Sequence, residues 1–128
     1  MKTKLTELLG IEYPIVQSGM QWLAVPQLAA AVCNAGGIGT INVTCWPTLD
    51  EFADALDEMN SLTSKPYIVN ISLAPTQRLA FLDGNVDSAI FCAGMGMGLV
   101  HDVVPVKVLL DRMVKEAEET VNSLKMAF

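Results

Sequence analysis

Side chains able to do chemistry gather where the apolar runs of this chain stop. After Ile15-Val16 come Gln17, Ser18, Gly19 and Met20. Gln17 and Ser18 can donate and accept hydrogen bonds, and Gly19 allows close backbone approach to a bound molecule. A second run, Ile38 to Val43, ends around Asn42 and Thr44, and a third, Tyr67 to Ser72, holds Asn70. An asparagine in an apolar strand needs partners; a neighbouring backbone is the commoner supplier and a ligand the alternative. In parallel α/β folds ligands sit at the carboxyl ends of strands. The 17–20 tip, with Asn70, therefore marks the candidate working face. Spacing alone favours a plainer reading of Ser18-Gly19, a tight turn into the next segment.

Other reactive residue types give weaker signals. His101 beside Asp102 could be a base oriented by a carboxylate. Its place just before a helix favours a capping or surface role, and no nucleophile stands at suitable spacing. Gly94 to Gly98 reads GMGMG, which fits neither GxGxxG nor a phosphate P-loop and suits close packing of a small-residue helix or turn. Asp50, Glu51, Asp54, Asp57 and Glu58 could hold a metal or supply a general acid. A solvated helix face, its first carboxylates favoured by the helix dipole, accounts for them more simply. Cys33, Cys45 and Cys92 are odd in number and lack CxxC spacing; free, mostly buried thiols in a reducing cytoplasm are the expectation.

The elements that must carry these residues follow from periodicity. Leu5, Leu8 and Leu9 form a short helical turn stopped by Gly10, a segment suited to plug the bottom of a sheet or barrel. A strand is expected at about 14–18. Pro26 opens an alanine-rich helix to Ala35, with Gly36-Gly37 as left-handed cap residues. Ile38 to Val43 is the second strand. Thr48 and Glu51 have capping-box spacing, and Leu49, Phe52, Leu56 and Met59 make one apolar stripe. Ser64-Lys65-Pro66 ends that helix, and Tyr67 to Ser72 is the third strand. The order is βαβαβ, for which right-handed crossovers are nearly obligatory. Beyond a seam at Pro75 to Arg78 and an Asp83-Gly84 turn, Pro105 starts a last helix of about 20 residues. Its stripe is Val106, Leu109, Leu110, Met113, Val114, Ala117, Val121 and Leu124, with Asp111–Lys115 and Arg112–Glu116 as expected i,i+4 pairs.

The 128 residues form one domain, 52% of them hydrophobic, with a net charge of −6. Eight scattered Lys and Arg residues give no basic footprint for nucleic acid. No apolar run approaches the roughly 20 residues of a membrane span, and Met1 to Lys4 is followed by no apolar stretch of the signal-peptide kind. So much apolar content suggests strands buried on both faces, or surface buried in an oligomer.

The opening, LTELLGIEYPIVQSGMQWLAVPQLAAAVCNAGGIGTI, resembles the nitronate monooxygenase family, formerly called 2-nitropropane dioxygenases. It is also similar to the related FMN-dependent enoyl-acyl-carrier-protein reductases. The resemblance continues through SLTSKPYIVNISLAP and returns in the tail, FLDGNVDSAIFCAGMGMGLVHDVVPVKVLLDRMVKEAEE. It implies an FMN-binding (β/α)₈ barrel in which Ser18, Gly19, Met20 and Asn70 match flavin-contacting positions. Ser18 replaces a more usual glycine, and Met95 a more usual glutamine. A complete barrel takes around 250 residues, and the two matching parts meet near Gln77. The resemblance thus implies that the central part, with its catalytic histidine and phosphate-binding loops, is missing; His101 matches the tail and inherits no catalytic role.

The fold expected is a partial TIM-barrel-like βαβαβ unit of three parallel strands plus carboxyl-terminal helices. Three strands cannot close a barrel, which leaves sheet edges and an apolar face exposed. A homo-oligomer, dimer or tetramer, is the expected remedy. The expected function is that of a shortened relative without full catalysis, holding FMN weakly or not at all. The alternative is an active FMN-dependent oxidoreductase acting on alkyl nitronates or an enoyl substrate.

Overall fold

A computed structural model of the chain describes residues 2–71 and 99–127. The expectations for the seam at Pro75 to Arg78, the Asp83-Gly84 turn, Cys92 and the GMGMG stretch lie outside the described residues. Helix α1 (Lys4–Leu9) starts at a reciprocal cap: the Thr3 hydroxyl accepts from the Thr6 backbone N–H, and the Thr6 hydroxyl accepts from that of Thr3. It stops at Gly10, whose φ of +66° is the left-handed conformation glycine tolerates best. Leu5 and Leu8 point to solvent and Thr6 is the buried residue, so α1 does not plug a barrel floor. One and a half turns offer too little apolar area to reach a core.

Helix α2 (Pro26–Asn34) is the hub. Proline at its start costs no hydrogen bond, because that N–H would lack an intrahelical partner anyway. On one side Ala29, Ala30 and Cys33 pack with Ile41 and Met59, ringed by Trp46, Phe52, Leu56 and Tyr67. On the other, Val32 and Ala35 meet Leu110, with Tyr13, Ile15, Leu28 and Val106 around them. Small side chains let the helix lie close to the sheet. A Cβ on Gly39 would stand 2.6 Å from the Ala29 carbonyl carbon, so only glycine fits there. After α2 only Gly36 takes a left-handed φ, +102°; its carbonyl accepts from Glu12 and Tyr13 N–H at 2.9 and 2.8 Å. Gly37 instead serves packing, with Val32 and Leu110 side-chain carbons 3.1 and 3.3 Å from where its Cβ would be.

Strands β1 (Thr40–Asn42) and β2 (Ile68–Asn70) are parallel, with Thr40 opposite Ile68, Ile41 opposite Val69 and Asn42 opposite Asn70. The expected three-stranded sheet contracts to these two. The first segment contributes a single parallel bridge, Val16 to Ile38. The Gln17 side chain then takes over from the backbone ladder: its Oε1 accepts from Thr40 N–H at 2.9 Å, and the Thr40 hydroxyl donates to the Gln17 carbonyl. β1 is buried throughout, but β2 is only partly covered and Val69 faces solvent. Burial on both faces therefore holds for one strand only.

Helix α3 (Leu49–Leu62) is capped by the Thr48 hydroxyl, which accepts from Glu51 N–H at 3.2 Å. Its buried stripe runs through Phe52, Ala55, Leu56 and Met59. Leu49 lies on the same side but is exposed, because it is the first residue of the helix, one turn ahead of Phe52 where the packing starts. Asn34 clasps the far ends of α2 and α3, donating to the Leu62 carbonyl at 3.0 Å and accepting from the Thr63 hydroxyl at 2.7 Å.

Helix α4 (Val106–Ala127) is the expected last helix. Its charge pairs differ from those expected: Lys107 pairs with Asp111, Lys115 with Glu119, and Arg112 reaches back to Asp102 ahead of the helix. Among the described residues no helix is long and apolar enough to cross a membrane.

Candidate functional site at the carboxyl ends of the strands

The sheet brings Asn42 and Asn70 level at the carboxyl ends of adjacent strands. The same end receives the 17–20 loop, and Gly19 abuts Asn70 across 51 residues of sequence. A Cβ on Gly19 would lie 2.7 Å from Asn70 Nδ2 and 2.9 Å from its Cγ. The loop is held there by three sets of backbone contacts. Gln17 N–H donates to the Ile38 carbonyl at 2.9 Å. The Met20 carbonyl accepts from Ala24 N–H at 2.9 Å, and the Ala24 carbonyl accepts from Asn42 N–H at 3.1 Å. Trp22 turns the chain with a φ of +62°, a conformation uncommon outside glycine.

The two asparagines differ in their commitments. Asn42 is 4% exposed, and its Oδ1 accepts from Thr44 N–H at 3.3 Å and the Thr44 hydroxyl at 3.0 Å. That amide is used up in starting the 3₁₀ turn Val43–Cys45. Asn70 is half-buried, and among the described residues its side-chain amide, which can both donate and accept, makes no hydrogen bond. Ser18 is exposed and its carbonyl accepts from Gln17 Nε2. Met20 is half-buried below it. The structure thus groups the 17–20 loop with Asn70. Sequence reasoning missed that Gln17 is the loop's anchor and that Asn42 is a structural amide; a polar residue at a strand end gives no sign of which.

The remaining reactive residues stand apart. Both described thiols are buried, and burial pushes each up from the ordinary cysteine value. Cys33 Sγ accepts from Gly39 N–H at 3.2 Å and donates to the Pro66 carbonyl at 3.3 Å, the contacts of a packing residue. His101 is exposed. The neighbouring Asp102 carboxylate is engaged by the Arg112 guanidinium at 3.1 and 2.9 Å, which holds it below the usual carboxylate range. Asp102 therefore serves α4. The acidic residues of α3 are solvated, and among the described residues no cluster of His, Cys, Asp or Glu could hold a metal.

Comparison with known proteins gives these residues a context. The family profile described as nitronate monooxygenase matches residues 2–80. A (3aS,4S,5R,7aS)-5-hydroxy-7a-methyl-1-oxo-octahydro-1H-indene-4-carboxyl-CoA dehydrogenase of Mycobacterium tuberculosis is 48% identical over 71 residues, which are 56% of this chain and 20% of the relative. A probable nitronate monooxygenase of Staphylococcus aureus is 42% identical over 77 residues, 60% of this chain and 21% of the relative. Among solved structures, FabK from Thermotoga maritima superposes with a TM-score of 0.53 at 38% identity, over 68% of this chain and 26% of that one. The chain spans about a fifth to a quarter of the length of these proteins. The matched stretch contains the 17–20 loop, β1, β2 and Asn70, and on it the chain belongs to the nitronate monooxygenase family.

Proposed function

We propose that the strand-end cluster is the ring-facing part of a flavin site, and that the chain holds FMN weakly, without full catalysis, as a homo-oligomer. The observation that carries this reading is the Asn70 amide, which makes no hydrogen bond among the described residues and is backed by Gly19 at a distance no side chain would permit. A planar heterocycle with donors and acceptors on its edge suits such an amide. Enzymes of this family are FMN-dependent, and bound FMN supplies the electron transfer. The chain's own residues would orient the ring: Asn70 through its amide, Gly19 by close backbone approach, and Ser18 and Met20 from the loop above. The family's catalytic histidine and phosphate loops match nothing in the resemblance seen here, so ring contacts alone would hold the flavin. The exposed Val16, Val69 and Ile71 at the sheet are the support for assembly.

Titration with FMN, followed by quenching of flavin fluorescence, tests this. Reversible binding without retention through gel filtration is expected, and Asn70→Ala should weaken it roughly tenfold, the worth of one well-made hydrogen bond. A stoichiometric flavin retained on the column, with NAD(P)H or nitronate oxidation, would instead establish the active oxidoreductase.

A further inference from the structure

One side chain decides where the 17–20 loop goes. In an unbroken parallel ladder, Gln17 N–H would donate to the Ile38 carbonyl and Thr40 N–H would donate back to the Gln17 carbonyl. The first bond is made, at 2.9 Å. The second is replaced on both sides: Thr40 N–H donates to Gln17 Oε1 at 2.9 Å, and the Thr40 hydroxyl donates to the Gln17 carbonyl. Side chains thus stand where backbone would meet backbone, and the chain leaves the sheet at this residue, just past the Val16–Ile38 bridge.

Leaving there matters because of where the loop arrives. Ile38 gives its N–H and carbonyl to the first segment, while the Gly39 carbonyl accepts from Ile68 N–H on the other side. The order across the sheet is therefore first segment, β1, β2, which sets the line of Asn70 two strand spacings, roughly 10 Å, from that of Val16. Gly19 nonetheless abuts Asn70, so the loop crosses the carboxyl end of β1. The remaining polar atom of Gln17, Nε2, donates to the Ser18 carbonyl. All four polar atoms of this residue are then in use, three on the β1 side and one on the crossing loop. The described peptide bonds are trans, and a planar trans peptide sets its N–H opposite its C=O. With the Ser18 carbonyl turned to the Gln17 amide, Gly19 N–H is turned away from it. That N–H makes no hydrogen bond among the described residues.

We infer that Gln17 is a positioning residue: its side-chain amide carries the loop off the sheet and across to Asn70. It also fixes the Ser18–Gly19 peptide so that Gly19 N–H is a second donor, beside the Asn70 amide, for an acceptor on the ring edge. The inference rests on the proposed flavin site and names what builds it.

Two measurements on the full chain test it, with two variants. Gln17→Met keeps the length of the side chain and loses both amide contacts. Gln17→Glu keeps an acceptor for Thr40 N–H and loses the donor to Ser18. In NMR spectra the wild type should show a nuclear Overhauser effect between Gly19 Hα and the Asn70 side-chain amide. Both variants should lose it while keeping those between β1 and β2. Riboflavin, titrated by fluorescence quenching, should bind both variants about tenfold more weakly, although the urea midpoint of Gln17→Glu stays nearer the wild type than that of Gln17→Met. A residue that merely stabilised the fold would weaken binding in step with the midpoint. A Gly19–Asn70 effect that survives in both variants, or an affinity that follows the midpoint, overturns the positioning role. A wild type that shows the effect but binds no riboflavin overturns the flavin reading and the donor role of Gly19 N–H, while loss of the effect in the variants still supports the route of the loop.

Discussion

At the scale of single residues, the site turns on which polar groups are already spoken for. Asn42 and Asn70 look alike in the sequence, each near the end of an apolar run. One caps a turn through Thr44, and the other is left facing the 17–20 loop. That difference depends on residues 51 apart meeting, which no local pattern encodes. Ser18, Gly19 and Met20 were legible as a loop tip because a glycine following a strand is a local signal. Gly19→Ala should displace the Asn70 amide and weaken flavin binding as much as Asn70→Ala does. Its φ is unexceptional, so the cost to stability is that of overpacking against the Asn70 side chain, about 1–3 kcal/mol. Unchanged flavin affinity in Gly19→Ala, with the protein folded, would detach Gly19 from the site. The thiols give a second check. Cys33 and Cys45 are buried and their ionisation is pushed up by burial, and the thiolate is the reactive form. Of the three thiols, at most one should react with a disulfide reagent before unfolding; rapid loss of two would contradict the packing.

At the scale of elements, helices were more legible than strands. Pro26, Gly10, Gly36 and the Thr48 cap are local signals, and each sits where expected. Leu49 and the charge pairs of α4 were misplaced because a stripe's edge and a salt-bridge partner depend on what packs alongside. The first strand shrank to one bridge because Gln17 pairs through its side chain where the backbone was expected to. Gly39 marks the tightest seam. Gly39→Ala would force the Ala29 backbone to move, costing about 3 kcal/mol by overpacking. The melting temperature should fall by more than 10 °C on the scale of roughly 4–8 °C per kcal/mol; a wild-type melting curve would show that α2 lies farther from the sheet. Docking of α4 should depend on pH through Asp111, whose Oδ1 also accepts from the Tyr13 hydroxyl at 3.2 Å and so ties the helix to the body. Lys107 hydrogen-bonds Asp111 and Arg112 hydrogen-bonds Asp102, and each contact lowers the carboxylate's pKa. Such groups stabilise above their unfolded pKa and lose that contribution as pH falls through the folded one. Lys107, raised chiefly by the Asp111 hydrogen bond, contributes below its unfolded pKa and loses it as pH rises through its folded one. The docking is therefore level near neutrality and weakens in acid below the aspartate range. These groups are exposed, so the effect is small. Between pH 7 and about pH 3, Asp111→Asn should lose less of its urea midpoint than the wild type; an equal or greater loss would refute the linkage.

At the scale of the whole molecule, the chain matches the family over residues 2–80 and spans about a fifth to a quarter of the length of the relatives compared. Both ends of the described fold converge on α2, which packs β1 and α3 on one side and α4 on the other. On the proposed reading, this arrangement offers a flavin a ring-facing cluster. Equilibrium titration with FMN and with riboflavin, which lacks the phosphate, tests it most directly. If ring contacts alone hold the ligand, the two dissociation constants should agree within about twofold, and both should weaken together in Asn70→Ala. FMN bound ten or more times tighter than riboflavin, or neither bound at all, would contradict it.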